Sequence, residues 1–321
     1  MATVAQKQAH SKYDRLMAQC EGHAAVRTAV AHPCSDAALA DAIEAAKLRL
    51  IDPILVGPEK KIRDAAATAG LNIEKLQIVD QPHSHAAADK AVEMVRRGEA
   101  ELLMKGSLHT DELMAAVVAR ETGLRTARRI SHVFIMDVPT YHKTLILTDA
   151  AINIFPTLED KVDIVQNAID LARSLGLPRP KVAILSAVET VTPKIPSTVD
   201  AAALCKMADR GQITGGILDG PLAFDNAISA EAAREKGIKS EVAGDPDILL
   251  VPDLEAGNIL AKQLTFLLGA DAAGIVLGAR VPIILTSRAD SVRARLASCA
   301  VAMLLAHARR QNAGPAARQG A

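Results

Sequence analysis

Residues 52–80 read DPILVGPEKKIRDAAATAGLNIEKLQIVD, and this stretch decides the fold. Its apolar runs and its alanine-rich middle predict a strand over 52–56, a helix over 59–69 and a second strand over 76–79. Glycine follows both the first strand and the helix, as is typical of element ends. A strand, a helix and a strand in this order form a βαβ unit, whose strands lie parallel and whose crossover is right-handed. The stretch therefore predicts an α/β fold with a mainly parallel central sheet.

The same alternation of strands and helices extends along most of the chain. The further predicted elements, in order, are a helix over 86–97, a strand over 102–105, a helix from 111, a helix over 158–175, strands over 182–185 and 248–251, a helix over 257–268, strands over 273–277 and 282–285, and a helix over 291–307. In the middle, two strand-like runs (133–137 and 144–148) are joined by only six residues. That spacing favours a hairpin, or two neighbouring strands without a helix between them. A chain of 321 residues has the length of two domains, and we place the junction between them near 125–132.

The composition argues against nucleic-acid binding and favours a layered α/β core. Half of the residues are apolar but only 2% are aromatic, so alanine, valine, isoleucine and leucine must fill the interior. This is typical of alanine-rich helices packed on buried strands. Lys plus Arg equals Asp plus Glu, 37 against 37, which gives a net charge of zero. Without a basic surface or stacking aromatics, a nucleic-acid partner is not expected.

The cysteines and the apolar segments indicate a cytoplasmic protein without a membrane span. The cysteines form no CxxC pair, so neither a disulfide framework nor a zinc site is indicated, and unpaired cysteines are typical of a reducing compartment. The first residues lack the apolar core of a signal peptide. The most apolar stretch, 267–286, is interrupted by Asp271, Arg280 and Pro282, which is not typical of a spanning helix.

The clearest candidate for a binding site is PIILTSRADSVRARL at 282–296. An apolar strand runs into Ser287 and Arg288, and a helix begins near Ser291. The free N–H groups of a helix's first turn favour an anion, and a guanidinium can hold two phosphate oxygens. These features predict a phosphate-binding loop, with Asp290 beside it as a proton acceptor. The alternative is that Ser291 or Asp290 only caps the helix and that Arg288 is a solvated surface charge.

Other candidate residues stand at the ends of predicted strands, where ligands of open α/β sheets bind. Lys105 could pair with a phosphate, and Gly106 would let a ligand approach the backbone closely. The alternative for Lys105 is an exposed surface lysine. Asp149, Asn258 and Arg280 are further phosphate- or CoA-binding candidates from such segments.

No metal site, nucleotide-binding loop or hydrolase motif is expected. The histidines form no HxxxH or HExxH pair on a helix, which argues against a metal cluster. GxxxxGK[ST], GxGxxG and GxSxG are all missing from the sequence.

Several segments, in their order and intervals, carry a resemblance to a known family. They are LLMKGSLHTDELMAAV, RRISHVFIMDVP, LILTDAAINIFPTLEDKVDIVQNAI, KVAILSAVET, GILDGPLAFDNAIS, ILLVPDLEAGNILAKQL and VPIILTSRADS. On these segments the chain, from about residue 100 to 306, resembles the phosphate acetyltransferase/phosphate butyryltransferase family.

The resemblance implies an architecture and a reaction. It implies two α/β domains with an active-site cleft between them, one built from 1–127 with 280–321 and the other from 128–279. It implies a ternary complex, without metal or covalent intermediate, in which the CoA thiol attacks an acyl phosphate and expels phosphate. Carried over to this chain, Arg288 holds phosphate and Ser287 stabilises the reacting centre. These roles agree with donors aimed at developing charge and with the proximity of two bound reactants.

The sequence departs from the acetyl-type pattern at two places. Acetyl-type enzymes carry an aspartate seven residues after the serine, proposed as the base for the thiol, and Ala294 stands there in this chain. A basic residue of the family's HxxxDxxR-like segment also has no counterpart in HTDELMAAV. The segments MKG and TSRADS are more similar to butyryl-type enzymes. Asp290 then becomes the candidate base, or it orients Arg288 while water takes the proton, because a helix N-terminus favours the ionised carboxylate and so weakens it as a base.

The expected activity is phosphate acetyltransferase, with acyl-CoA and phosphate as partners and CoA as a substrate, not a resident cofactor. The alternatives are a butyryl- or broader-chain acyltransferase, a metal-dependent decarboxylating dehydrogenase of similar architecture, and a relative that has lost activity. The dehydrogenase would need metal-binding aspartates and an NAD-binding segment, which the sequence does not show. A symmetric homo-oligomer is expected, with a dimer as the simplest case.

Overall fold

The structure is a computed structural model that describes residues 11–286 and 290–312. Its elements, in chain order, are α1 (Ser11–Cys20), β1 (Val26–Ala31), α2 (Asp36–Lys47), β2 (Ile51–Gly57), α3 (Glu59–Ala69), β3 (Gln77–Asp80), α4 (Ser84–Arg96), β4 (Leu102–Lys105), α5 (Thr110–Val118), β5 (Ser131–Asp137), β6 (Leu145–Thr148), α6 (Leu158–Ser174), β7 (Lys181–Leu185), α7 (Pro196–Asp209), β8 (Ile217–Leu222), α8 (Phe224–Ile228), α9 (Ala230–Glu235), β9 (Ile248–Leu250), α10 (Leu254–Leu268), β10 (Asp271–Leu277), β11 (Ile283–Ile284) and α11 (Val292–Asn312).

The chain forms two compact units. The terminal unit contains residues from 13 to 128 and from 273 onward, and the middle unit contains 129–272 together with the residues up to 12. In both units strands alternate with helices, so the predicted α/β fold is confirmed.

In the terminal unit the strand order is β3-β2-β1-β4-β11-β10. All neighbouring strands are parallel except β10 and β11, which are antiparallel. Strands β2 and β3 follow β1 on one side of it, and the next strand in the chain, β4, pairs with β1 on its other side. Helices that follow the two strands at such a reversal diverge, which opens a crevice at the carboxyl ends of the strands.

In the middle unit the strand order is β5-β6-β9-β7-β8. Strands β5 and β6 pair in antiparallel fashion, with Val133 opposite Thr148 and Met136 opposite Leu145. The predicted hairpin is therefore confirmed. The other strand pairs of this unit are parallel.

Local sequence explains why the elements begin and end where they do. In α3 the buried residues Ile62, Ala65 and Ala66 recur at helical spacing, which is typical of one face packed on a sheet. Gly70 ends this helix in the left-handed region, at φ 64°, where glycine carries no steric penalty. The core of the middle unit is built from aliphatic side chains on its central strands, such as Leu147, Leu185 and Leu249.

Several elements were not predicted from the sequence, and of these β1 and α2 matter most for the site. β1 reads VRTAVA and is buried at every position except its arginine. Two alanines, a threonine and a charged residue do not form the aliphatic run from which we predicted the other strands. Among the described residues, no helix has the length and apolar character needed to cross a membrane.

Candidate active site

Three neighbouring parallel strands of the terminal unit end at one edge of its sheet. Ala31 at the end of β1 pairs with Lys105 at the end of β4, and Met104 of β4 pairs with Ile284 of β11. Adjacent strands lie about 4.8 Å apart. The segments that follow β1, β4 and β11 therefore leave the sheet within about 10 Å of one another. This edge contains the reversal of strand order between β1 and β4, where ligands bind in open α/β sheets.

Gly106 begins the segment after β4 and contacts the backbone after β1. Its N–H donates to the Ala31 carbonyl at 2.9 Å. A Cβ atom at this position would lie 2.6 Å from the His32 carbonyl oxygen and against the Ala31 carbonyl oxygen. Glycine is thus required for the approach of two chain segments. The sequence-derived role of Gly106 in the approach of a ligand stays a prediction.

His32 and Ser107 form the central contact of this edge. The Ser107 hydroxyl donates to the His32 carbonyl at 2.7 Å, lies 3.3 Å from His32 Nδ1, and accepts from the Cys34 N–H at 3.1 Å. His32 has φ 53°, a left-handed conformation that is uncommon for a residue with a side chain. Non-glycine residues in such conformations cluster at functional sites. No local sequence pattern had indicated this pair.

The electrostatic surroundings keep His32 and Cys34 uncharged. Burial and the Lys61 ammonium lower the pKa of His32, while the Glu112 carboxylate acts in the opposite direction. Burial raises the pKa of the Cys34 thiol to about 11, against the smaller effect of Lys61. At neutral pH this edge therefore presents a neutral imidazole and a neutral thiol.

Lys105 lies at the same edge, as its position at the end of β4 predicted. Its ammonium donates to the carbonyl oxygens of Gly106 at 3.4 Å and Leu108 at 3.2 Å. The side chain is partly buried. The Lys105 side chain therefore folds back onto the loop that follows β4. Its positive charge lies against the residues on either side of Ser107.

The segment before α11 contains the predicted phosphate-binding residues. Ser287 and Arg288 lie outside the described residues. The Ser291 hydroxyl accepts from the Ala294 N–H at 3.1 Å, so Ser291 is the N-cap of α11. The Asp290 carbonyl accepts from the Arg295 guanidinium at 2.8 Å.

Arg295 holds this segment against α2. Its Nε lies 2.8 Å from Asp41 Oδ1, and both side chains are nearly buried. Burial raises the pKa of Asp41, and Arg295 acts in the opposite direction. Ala294, the position at which acetyl-type relatives carry an aspartate, is buried. The start of α11 is thus tied to its own helix by Ser291 and to α2 by Arg295.

Asp149 follows β6 in the middle unit and is buried. Its Oδ1 accepts from the N–H groups of Ala151 and Ile152 at 2.9 and 3.1 Å. Its Oδ2 accepts from Asn153 Nδ2 at 2.6 Å and from the Asn153 N–H at 3.3 Å. The carboxylate therefore holds a tight turn, and both of its oxygens are used inside the protein.

Asn258 lies next to this turn. Its side-chain amide donates to the Ala150 carbonyl at 3.2 Å, and a Cβ atom on neighbouring Gly257 would lie 2.8 Å from the Asp149 carbonyl oxygen. The start of α10 thus packs directly on the turn after β6. The structure brings two predicted site residues, Asp149 and Asn258, together in the middle unit.

His132 is a buried titratable residue of the middle unit whose chemistry the sequence analysis did not identify. Burial lowers its pKa to about 4, and the Asp149 carboxylate opposes this shift. Its ring meets the Phe134 ring at a centroid distance of 4.4 Å. Its Nδ1 is buried without a hydrogen-bond partner among the residues that the structure describes. The imidazole is therefore neutral at physiological pH.

The remaining predicted residue, Arg280, is exposed in the terminal unit. Its N–H donates to the Leu124 carbonyl, and its carbonyl accepts from Arg309 at 3.2 Å. The prediction that residues of two domains share one cleft stays a prediction. Within the described ranges, no group of three or more His, Cys, Asp or Glu side chains could hold a metal ion.

The comparisons with known proteins agree on one family. Residues 83–303 match the model of the family described as "Phosphate acetyl/butaryl transferase". A phosphate acetyltransferase of Rhizobium meliloti is 70% identical over 300 residues, which cover 94% of this chain and 95% of that protein. A phosphate butyryltransferase of Clostridium acetobutylicum is 44% identical over 263 residues, covering 82% and 87%. The crystal structure of a branched-chain phosphotransacylase from Enterococcus faecalis V583 superposes with a TM-score of 0.76 at 32% identity, covering 88% of this chain and 99% of that one.

The chain belongs to the phosphate acetyl/butyryl transferase family of acyltransferases. The family match covers the segment after β4 and the segment before α11, two of the three that meet at the described edge. The resemblance found in the sequence is confirmed.

Proposed function

We propose that the chain catalyses the reversible transfer of an acetyl group between CoA and inorganic phosphate, acetyl-CoA + phosphate = acetyl phosphate + CoA. The observation that carries this proposal is the 70% identity, over nearly the full length of both chains, to a protein named phosphate acetyltransferase. CoA is a substrate in this reaction, and the proposed steps use no resident cofactor.

The reaction needs two things from the protein. It needs the thiol of CoA and the carbonyl carbon of acetyl phosphate held in contact, which replaces a bimolecular encounter by a local one. It also needs positive charge and N–H donors where the phosphate group gains charge as it leaves. We assign the second role to Ser287, Arg288 and Lys105, supported by the position of Lys105 at the edge where β4 and β11 end.

Asp290 and Ser291 complete the proposed phosphate-binding segment. Ser291 caps α11, and this supports a helix start whose first-turn N–H groups attract an anion. Asp290 keeps the two roles that the sequence proposes for it, base for the thiol or orienter of Arg288. Asn258 and Arg280 stay proposed CoA- or phosphate-binding residues. For Asp149 two roles are open, binding of CoA or phosphate and support of the turn on which Asn258 packs.

The test is formation of acetyl-CoA from CoA and acetyl phosphate by the purified chain. An inactive wild-type chain would contradict the proposed function. In Arg288→Ala, kcat/KM for acetyl phosphate should fall by about 30- to 1,000-fold, which corresponds to about 2–4 kcal/mol of lost transition-state stabilisation. Arg288→Lys should restore little, because the two-pronged guanidinium is lost. Arg97→Ala, which removes an exposed arginine of the same unit that has no proposed binding role, is the comparison variant. Equal losses in both variants would contradict a specific role for Arg288.

A longer acyl chain is the second candidate substrate. It is favoured by the relatives named phosphate butyryltransferase and branched-chain phosphotransacylase, which align with most of this chain. A panel of acetyl, propionyl, butyryl and isobutyryl phosphates decides between them. A kcat/KM that rises with chain length would make the chain a longer-chain acyltransferase.

We also propose a homodimer in the cytoplasm. Homodimers are the commonest symmetric assembly. All four cysteines are free thiols, and free thiols suit a reducing compartment. Light scattering on the purified protein tests the dimer, and a monomeric mass would contradict it.

A further inference from the structure

The distances around the Ser107 hydroxyl favour one position for the proton of the neutral His32 imidazole. The Ser107 hydroxyl has one hydrogen and lies 2.7 Å from the His32 carbonyl oxygen. The carbonyl can only accept and is nearer to the hydroxyl than Nδ1, so we assign this hydrogen to the carbonyl. The contact between Ser107 Oγ and His32 Nδ1 at 3.3 Å is then a hydrogen bond only if Nδ1 is the donor. In the neutral imidazole the lone pair therefore lies on Nε2.

This lone pair is available at neutral pH. Nε2 makes no hydrogen bond to any residue in the described part of the chain, and the ring is only partly buried. The charged groups that face the ring are Lys61 of α3 and Glu112 of α5, and Lys105 of β4 ends at the same edge. Burial and Lys61 outweigh Glu112 and keep the pKa of His32 below 6.5. His32 is thus a neutral hydrogen-bond acceptor.

The backbone fixes this acceptor at the reversal of strand order. The His32 N–H donates to the Val56 carbonyl at 2.7 Å, and its carbonyl accepts from the N–H groups of Cys34 and Ser107, each at 2.9 Å. These bonds hold the left-handed backbone at φ 53°. Such a conformation is retained only where its surroundings determine it. The segment before Ser287 leaves the sheet two strands away, at about 10 Å.

We propose that His32 Nε2 is the base that removes the proton of the CoA thiol in the acyl transfer. This inference rests on the proposed function. It names a base for the thiol in a chain that has Ala294 where acetyl-type relatives carry an aspartate. The thiol proton passes to Nε2, and the sulfur attacks the carbonyl carbon of acetyl phosphate. A bond forms between the sulfur and the carbonyl carbon, and the bond between that carbon and the bridging phosphate oxygen breaks. Phosphate leaves with the electron pair of the broken bond. In the reverse direction the imidazolium returns the proton to the departing thiolate.

Two physical arguments favour His32 over the other groups at the edge. The thiol of CoA has a pKa of about 8.5. The pKa of an imidazole is closer to this value than that of a carboxylate at a helix N-terminus, such as Asp290, so proton transfer from the thiol to the imidazole costs less free energy. A bare Nε2 lone pair also repels a phosphate oxygen and attracts a donor such as S–H. The phosphate is then left to the cationic groups.

The decisive variant is His32→Asn. Asparagine tolerates the left-handed backbone, and its amide nitrogen lies near the position of Nδ1, so it can still donate to Ser107. The substitution therefore removes only the Nε2 lone pair that we propose as the base. At pH 7 we expect kcat/KM for CoA to fall about 100- to 10,000-fold. We expect thermal unfolding to stay unchanged.

The matched control is His83→Asn. His83 is the N-cap of α4 and accepts from the Ala86 N–H at 3.2 Å, a role that asparagine performs at least as well. This control should keep wild-type activity. If wild type and His83→Asn are active and His32→Asn equals them, the base assignment fails while the proposed function stands.

The pH profile separates a base from a positioning group. With His32 as the base, the loss in His32→Asn shrinks as pH rises toward about 8.5, where the thiol ionises without help. A uniform loss across pH would overturn the assignment. The same profile in Asp290→Asn, with His32→Asn unaffected, would give the role to Asp290 and also overturn it.

Nitrogen-15 NMR of labelled histidines tests the proton position directly. The His32 signals are identified by their loss in His32→Asn. The Nδ1–H tautomer is expected above pH 6.5. A predominant Nε2–H tautomer would contradict the inference, whatever the kinetics show.

Discussion

Asp149 and His32 occupy equivalent places in the two units, yet they differ in how their hydrogen bonds are used. Each directly follows the carboxyl end of a buried strand that has a parallel neighbour, although β6 also pairs with β5 in antiparallel fashion. Both carboxylate oxygens of Asp149 accept protein donors, four in all. The imidazole of His32 uses Nδ1 within the protein and leaves Nε2 open among the described residues.

The difference teaches that a strand-end position alone does not identify a catalytic group. A polar side chain whose hydrogen bonds are all made inside the protein stabilises a turn, and its removal affects folding first. A side chain that is held by one bond and keeps another atom open is positioned for a ligand. On this criterion we expect the turn after β6 to be structural and the edge of the terminal unit to take part in the reaction.

The largest expected effect is at Gly106, the glycine on which the packing of the terminal-unit edge depends. In Gly106→Ala the new methyl group would overlap the backbone of Ala31 and His32, which cannot move independently of β1. We expect a loss of about 4 kcal/mol in the free energy of unfolding. Urea unfolding monitored by circular dichroism measures it.

The comparison variant is Gly257→Ala in the middle unit. Its methyl would also be crowded, by the Asp149 carbonyl at 2.8 Å and by a Val251 methyl that can shift, but alanine gains about 1 kcal/mol of helix propensity over glycine. The net loss should be about 2 kcal/mol or less. Equal losses at both glycines would show that the backbone contact after β1 is not special.

A smaller effect is expected from protonation of His132. Its pKa is about 4 in the folded chain and about 6.5 when unfolded. Since the folded pKa is depressed, the contribution to stability is fully present above pH 6.5 and is lost as pH falls toward 4. The expected loss between pH 7.5 and 4.5 is on the order of 2–3 kcal/mol.

The measurement is the unfolding free energy of wild type and His132→Gln at both pH values. The variant should lose correspondingly less than wild type on acidification. His85→Gln removes an exposed histidine and should behave as wild type does. If His132→Gln shows the full wild-type pH dependence, other groups control acid stability.

Of the two effects at polar side chains, the smaller is expected for Asp149→Asn. The amide keeps the shape of the carboxylate but offers one oxygen to donors that now use two, so the free energy of unfolding should fall by about 2 kcal/mol. At a temperature where the variant is folded, KM for CoA should stay within about threefold of wild type. A large rise in KM without loss of stability would break the comparison and restore the binding role that the sequence proposes for Asp149.

The sequence predicted the parts of the fold that local patterns encode. Aliphatic runs such as 52–56 and 133–137 predicted strands, and glycine at 70 predicted a helix end. The strand β1 was missed because VRTAVA has no aliphatic run, although its neighbours bury it. With β1 missed, its strand end was not searched, and so His32 was not a candidate.

The contacts of the site depend on residues far apart in the chain. Gly106 looked like an opening for a ligand, but it contacts Ala31 and His32, more than seventy positions earlier. The Asp41–Arg295 pair spans more than two hundred and fifty positions. The strand order of the sheet creates both contacts, and a local pattern carries no information about that order.

We propose that acyl phosphate binds at the edge where Cys34 lies, and the high pKa of this thiol then has a chemical consequence. An acyl phosphate is an acylating agent, and a thiolate beside it would be acylated without CoA. With a pKa of about 11, only about one Cys34 side chain in ten thousand is ionised at pH 7, against about 3% for a thiol with a pKa near 8.5. Burial thus keeps Cys34 in its unreactive thiol form. In the proposed reaction the attacking thiol is that of CoA.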